Sequence, residues 1–216
     1  MLVFRATKKL KKKNTPNQTF SLPPASLEVK LAATPISDRP DASLVRDVLA
    51  GRLDAFNVLV RRWERRVYSY LVYVTGQPED AFDLSQEVFV SAYANIGRLR
   101  KPEVFRQWLF QIAHNAAYSH LRKERGRGDI PWEADSHDVR PSPRIMDGAQ
   151  WERSESKLLV QKALAALPVE QHEAIVLKFY QGFNFDEIAE IQSCPVSTIK
   201  TRFYAGLDQL RKILKS

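Results

Sequence analysis

Apolar residues recur along this chain at intervals of three and four rather than two, the period of an amphipathic helix. Residues 41–123 carry long runs of this kind, and Gly51 and Gly76 are their only glycines before the break at "GRLRKPE". Within "GQPEDAFDLSQEVFVSAYANI", residues 76–96, Phe82, Phe89, Tyr93 and Ile96 supply a broad apolar side together with Leu84, Val88 and Ala92. Within "FRQWLFQIAHNAAYSHLRK", Trp108, Leu109, Ile112, Ala113 and Ala116 make the inner side of another helix. Gln111, Asn115, Tyr118, Ser119 and Arg122 project from it along neighbouring turns. Helical spacing returns over residues 157–216, from "LLVQKALAALP" to "LDQLRKILK". The stretch between, 124–156, holds three prolines and no sustained apolar period, and reads as a flexible linker. No strand-like alternation of useful length occurs. The expectation is an all-α protein of two small helical domains, with an arm over residues 1–40 that shows little periodicity.

The segment "EIAEIQSCPVSTIKTRF", residues 187–203, has helical spacing on both sides of Ser193-Cys194-Pro195. Proline inside one continuous helix costs about 3 kcal/mol, but at the first position of a new helix it costs little. The stretch therefore reads as helix, tight turn, second helix. Phe185, Ile188 and Ala189 share a face before the turn, and Asp186 and Glu187 fall where the helix dipole favours negative charge. After the turn Ile199, Phe203, Leu207, Leu210 and Leu214 form a stripe, with Ser197, Lys200, Thr201 and Tyr204 on the other side. A basic, polar second helix presented across a tight turn is what docking in a DNA major groove requires. The bland alternative is a helical hairpin with a solvated outer face.

Charge sharpens this picture. The 216 residues carry a formal net charge of +8, which points to a polyanionic partner. Eight basic residues face two acidic ones in residues 1–40, and the linker is acidic, with eight acidic residues against five basic. Four acidic residues and no basic one lie between Glu79 and Glu87; Asp83, Gln86 and Glu87 share a face suited to a basic protein partner rather than to DNA. The sign then reverses: residues 98–123 hold six basic residues against Glu103. Basic groups interleaved with aromatic and amide side chains are the ingredients for holding separated DNA strands.

Other chemistry finds little support. The four histidines are scattered, no Gly-rich phosphate loop or metal-ligand set stands out, and an enzyme, a cofactor or a metal site is not expected. Cys194 is the only cysteine, which excludes an intramolecular disulfide and fits a half-buried structural thiol. No apolar run approaches the ~18 residues that membrane insertion needs, and charges occupy the place of a signal peptide's apolar stretch. A cytoplasmic protein is expected. One open alternative is a stand-alone helix-turn-helix regulator that binds palindromic DNA as a dimer.

The order of "AFNVLVRRWERRVYSYLVYVTGQPEDAFDLSQEVFVSAY", "FRQWLFQIAHNAAYSHLRK", an acidic linker and "ALAALPVEQHEAIVLKFYQGFNFDEIAEIQSCPVSTIKTRF" resembles a bacterial RNA polymerase sigma factor. The likeness is to the extracytoplasmic-function (ECF) group of the sigma-70 family. It implies a factor that binds core polymerase and directs promoter-specific initiation: domain two over 41–123, linker over 124–156, domain four over 157–216. "DAFDLSQEVF" resembles the stretch that grips the coiled coil of the polymerase's largest subunit, which implies core binding by Asp83, Gln86 and Glu87. "FRQWLFQIAHNAAYSHLRK" resembles the part that captures and opens the −10 element. With the preceding loop it implies DNA contacts from Arg98, Arg100, Lys101, Arg106, Asn115, Tyr118, Ser119 and Arg122. The loop "GRLRKPE" departs from the usual phenylalanine-containing form, and His114 stands where arginine is common. "PVSTIKTRF" resembles the recognition helix for the −35 element, which implies Ser197, Thr198, Lys200, Thr201, Arg202 and Tyr204. The family further implies promoter DNA and an anti-sigma factor as partners.

Overall fold

A computed structural model describes residues 35–125, 160 and 162–215. Most of the arm (1–40) and of the linker (124–156) lies outside these residues. The described residues are helical, without a strand.

The N-terminal domain is built from α1 (Asp41–Leu49), α2 (Leu53–Thr75), α3 (Pro78–Asn95) and α4 (Phe105–Arg125), with two 3-10 turns between the last pair. Ala55, Phe56, Leu59, Trp63, Val67, Tyr70, Leu71 and Val74 make the buried stripe of α2. Gly76 ends that helix at φ 72°, a left-handed conformation that costs glycine little, and its N–H caps the Val72 carbonyl at 2.8 Å. Pro78 then opens α3 where a missing N–H is harmless, with Glu79 and Asp80 in the first turn. The tail of the basic arm is held in place: residues Ile36–Asp38 form a 3-10 turn, Arg62 donates to the Arg39 carbonyl at 2.9 Å, and Arg39 pairs with the buried Asp47 at 3.0 Å.

The C-terminal domain comprises a short helical stretch at 162–165, α5 (Val169–Ile175), α6 (Phe185–Ile191) and α7 (Val196–Ile213). The axis of α5 continues as a π-helical turn, Val176–Tyr180, closed by a bond from the Gln181 N–H to the Val176 carbonyl at 3.0 Å. Asn184 and Glu187 form a reciprocal capping box at the start of α6, with bonds of 2.8 and 2.7 Å. The predicted tight turn comes next. Ser193 carries it at φ 51°, the left-handed region, and Pro195 occupies the N-cap one residue before α7 begins. Gly206 lets α7 approach α5: a Cβ there would stand 2.9 Å from Ile175 Cδ1 and 3.2 Å from Gln171 Cβ.

Both expected helical domains are present, and they are not apart. Residues from Ile36 onward form one compact unit, and a single apolar cluster runs from Leu44 and Tyr70 through Phe110 to Phe183, Ile188 and Ile199. Phe110 is the hinge of this packing: its ring meets Tyr70 at 5.3 Å and Phe183 at 5.1 Å, both edge-on. Such aromatic pairs add about 0.5–1.5 kcal/mol each beyond burial. Two apolar expectations differ in detail. The buried stripe of α3 runs through Ala81, Leu84, Val88 and Ala92, so Phe82, one residue round the helix, stands exposed. Leu214 lies past the end of α7 and is exposed, whereas Leu207 and Leu210 pack.

Candidate functional site

Three surfaces carry the residues singled out from sequence. On α3, Asp83, Gln86 and Glu87 are all exposed, and the exposed apolar side chains Phe82 and Val90 stand on the same helix. Carboxylates around exposed apolar groups repel phosphate and suit contact with a basic protein surface. Asn115 and Ser119 on α4 share a groove with Glu87 and Ser91 of α3, so the two surfaces are contiguous.

The second surface divides. Arg98, Arg100 and Lys101 are exposed in the connector, and Asn115, Ser119 and Arg122 are exposed along α4. Arg106 and Tyr118, expected alongside them, are engaged by the C-terminal domain. The Arg106 guanidinium lies 3.9 Å from the Phe183 ring centre and donates to the Gln181 carbonyl. The Tyr118 hydroxyl donates to Glu173 Oε2 at 2.9 Å. Gln111, expected to project, donates to the Glu190 carbonyl at 3.1 Å.

Glu173 was not singled out from sequence, and it is the centre of this contact. It also accepts hydrogen bonds from the Tyr70 hydroxyl and from His114 Nδ1, the latter at 2.7 Å. Burial alone would push its carboxyl up; the His114 contact and the hydrogen bonds from His114, Tyr70 and Tyr118 outweigh that and hold it below the usual range. Burial, reinforced by the Glu173 charge, pushes the Tyr70 and Tyr118 phenols well above their ordinary value, so both stay donors. The neighbouring His172 is driven down to about 4 by burial, and its Nε2 has no partner. The only sequence signal for Glu173 was its place in "HEAIVL", a charge directly at the head of an apolar run.

On the third surface Ser197, Lys200, Thr201 and Tyr204 are exposed along α7, and Thr198 is half-buried. Thr201 donates to the Ser197 carbonyl at 3.0 Å, and Tyr204 is edge-on to Phe203 at 5.3 Å. Arg202 turns back to the tight turn, donating to Gln192 Oε1 at 3.0 Å with Cys194 Sγ 3.7 Å away. Cys194 is half-buried and burial pushes its thiol up, which lowers its thiolate fraction. Among the described residues, no cluster of His, Cys, Asp and Glu could hold a metal, and no helix is long and apolar enough to cross a membrane.

Residues 59–127 match the Sigma-70 region 2 family, and residues 157–210 match Sigma-70 region 4. The chain is 31% identical over 176 residues to the ECF RNA polymerase sigma-E factor of Haemophilus influenzae, covering 79% of this chain and 93% of the relative. It is 28% identical over 188 residues to the RNA polymerase sigma-H factor of Pseudomonas aeruginosa, covering 83% and 96%. Among solved structures, it resembles the sigma factor RpoE of Bartonella quintana, crystallised with the anti-sigma factor NepR, at a TM-score of 0.61 and 25% identity, covering 74% and 96%. The fold is also that of CnrH, solved with the cytosolic domain of CnrY, at a TM-score of 0.58 and 21% identity over 81% of this chain and 97% of that one. The class is thus a two-domain helical transcription factor. Within it, the chain belongs to the extracytoplasmic-function group of the sigma-70 family of RNA polymerase sigma factors.

Proposed function

We propose that this chain is the specificity subunit that brings core RNA polymerase to promoters, with its work divided by charge between two helical domains. Membership of the family gives the role, promoter-directed initiation in partnership with RNA polymerase and promoter DNA. The single observation that carries the residue assignment is the separation of signs: an exposed acidic surface on α3, against exposed basic and polar side chains on the connector, α4 and α7.

In this reading Asp83, Gln86 and Glu87 meet the coiled coil of the polymerase's largest subunit. Asn115, Ser119, Arg122 and the connector residues Arg98, Arg100 and Lys101 meet the −10 element, joined by Arg106 and Tyr118 once these leave the C-terminal domain. Ser197, Thr198, Lys200, Thr201, Arg202 and Tyr204 read the −35 element from α7. Strand opening then needs no catalytic group. Extruding a base costs a few kcal/mol; stacking it on a side chain returns ~1–3 kcal/mol, and phosphate contacts add to that. The domain division is 41–123 and 157–216, joined by an acidic linker over 124–156, and the protein works in the cytoplasm, where polymerase is. An anti-sigma factor is the expected restraint, in line with the Bartonella quintana relative solved in such a complex.

The test is charge reversal. Asp83→Lys with Glu87→Lys abolishes pull-down of core polymerase without weakening polymerase-independent DNA retention, which the added positive charge can only raise. Undiminished pull-down removes the assignment of α3.

A further inference from the structure

Three side chains of the N-terminal domain converge on one carboxylate of the C-terminal domain. Glu173 is 1% exposed, and Tyr70 from α2 and His114 and Tyr118 from α4 all point their donors at it. A carboxylate in such a place must be paired, because an unpaired buried charge is far too costly. The contact continues along α4. Arg106 lies on Phe183, Gln107 Nε2 donates to Glu190 Oε2 at 2.6 Å, and Gln111 reaches the Glu190 carbonyl. One side of α4 is therefore turned into the C-terminal domain while its Asn115, Ser119 and Arg122 remain exposed.

We propose that Glu173 is the latch of a closed form of this chain, in which the C-terminal domain covers the Arg106–Tyr118 side of α4 and withholds it from promoter DNA until the domains separate. The proposal rests on the preceding reading in one respect, that α4 meets DNA. The two engagements exclude each other by donor count. A Tyr118 hydroxyl that donates to Glu173 has no second proton for a phosphate or for an acceptor atom of a base. An Arg106 guanidinium seated on Phe183 cannot reach a DNA backbone without leaving it. The polar make-up of the latch also makes it reversible. On opening, the carboxylate, both phenols and the imidazole regain water, so the polar cluster itself resists opening only modestly, and the contact of Phe110 with Phe183 supplies the rest of the resistance. Removing one member leaves the others buried and unpaired in the closed form, and so favours the open one.

The experiment uses the full chain with Cys194→Ser, carrying spin labels at Ala94→Cys on α3 and Gln209→Cys on α7, both exposed positions. Pulsed dipolar spectroscopy of this parent gives one narrow distance distribution; Glu173→Gln and Tyr70→Phe each add a broad, longer component. A parent that is already broad, or a Glu173→Gln distribution identical to the parent's, overturns the latch. Circular dichroism accompanies each sample. Should Glu173→Gln lose helix, Tyr70→Phe decides, because it deletes a single oxygen from the opposite domain. On a fluorescent promoter duplex without polymerase, Glu173→Gln binds about tenfold tighter than the parent, the gain expected when a minor open form becomes the major one. A longer distance without tighter DNA binding overturns the withholding of α4. The distance measurement needs neither DNA nor polymerase. A chain that never directs initiation would defeat the proposed function and leave the latch result standing.

Discussion

His172 is buried and neutral, and its behaviour in acid depends on where its proton sits. Unfolded, the side chain takes up a proton below about pH 6.5; folded, it does so only below about 4. Between those values the unfolded chain holds more protons, so stability falls as the pH is lowered, by on the order of 3 kcal/mol in total. Glu173 acts in the same direction at lower pH. Its folded carboxyl titrates below the unfolded one, so the stability it supplies is lost as the pH falls through that depressed value. The urea midpoint should therefore drop between pH 7 and pH 5, and His172→Leu should flatten that drop; an unchanged slope in the variant would assign the acid sensitivity elsewhere. At the turn, Ser193 holds a left-handed φ that glycine adopts freely. Ser193→Gly should raise the stability by about 0.5–1 kcal/mol, read from the same urea curves, with the gain limited by glycine's greater freedom when unfolded.

At the scale of elements, close approach seats α7 on α5 and a capping box starts α6. Gly206 leaves room for α5 to touch α7, and Gly206→Val would drive a branched side chain into Ile175 and Gln171. Overpacking of this sort costs about 1–3 kcal/mol, and guanidinium unfolding of the variant would measure it. Removing the other device, Asn184→Ala, should cost about 1 kcal/mol by dissolving the capping box of α6. The two devices were unequally legible. Asp186 and Glu187 marked the first turn of α6, though the Asn184 cap was not read, and the Ser193-Cys194-Pro195 break announced the turn, because such signals are local chemistry. Gly206 gave no sign, since its role depends on side chains more than thirty positions away. The same holds for Glu173, whose partners lie 55, 59 and 103 residues off along the chain. Periodicity placed Tyr118 on the outer side of α4, but it could not say that another domain would be waiting there.

For the whole molecule, the proposed assignment predicts weak promoter binding by the free chain. Two modest DNA surfaces joined by a tether gain from each other only when their spacing suits the two elements. In the closed form part of one surface faces inward. Footprints on a promoter should be faint without core polymerase and strong with it. Equal footprints would favour instead the stand-alone regulator, which needs no polymerase. The reversal of charge between Glu79–Glu87 and Arg98–Lys123 was visible in the sequence, and the exposed positions of Asp83, Glu87, Asn115 and Arg122 agree with it. The packing of one domain on the other was not, because it is written in neither period nor composition.

The wide turn at Val176–Tyr180 bears on how the chain tolerates a deletion. The i→i+5 bond there encloses one residue more than the i→i+4 bond of an ordinary helix, so the loop of backbone stores one surplus residue. Deleting Phe179, which is exposed, would remove that surplus and let the helix run on regularly, with the downstream residues in nearly the same phase. Phe183 would stay against Phe110, and Arg106 would keep its seat. Such a shortened chain should keep its helix content by circular dichroism and a fixed Phe110 ring in NMR spectra; new mobility of that ring would show that the extra residue sets the angle instead. One spare amino acid is thus absorbed where it stands, and the last third of the protein keeps its aim at the first.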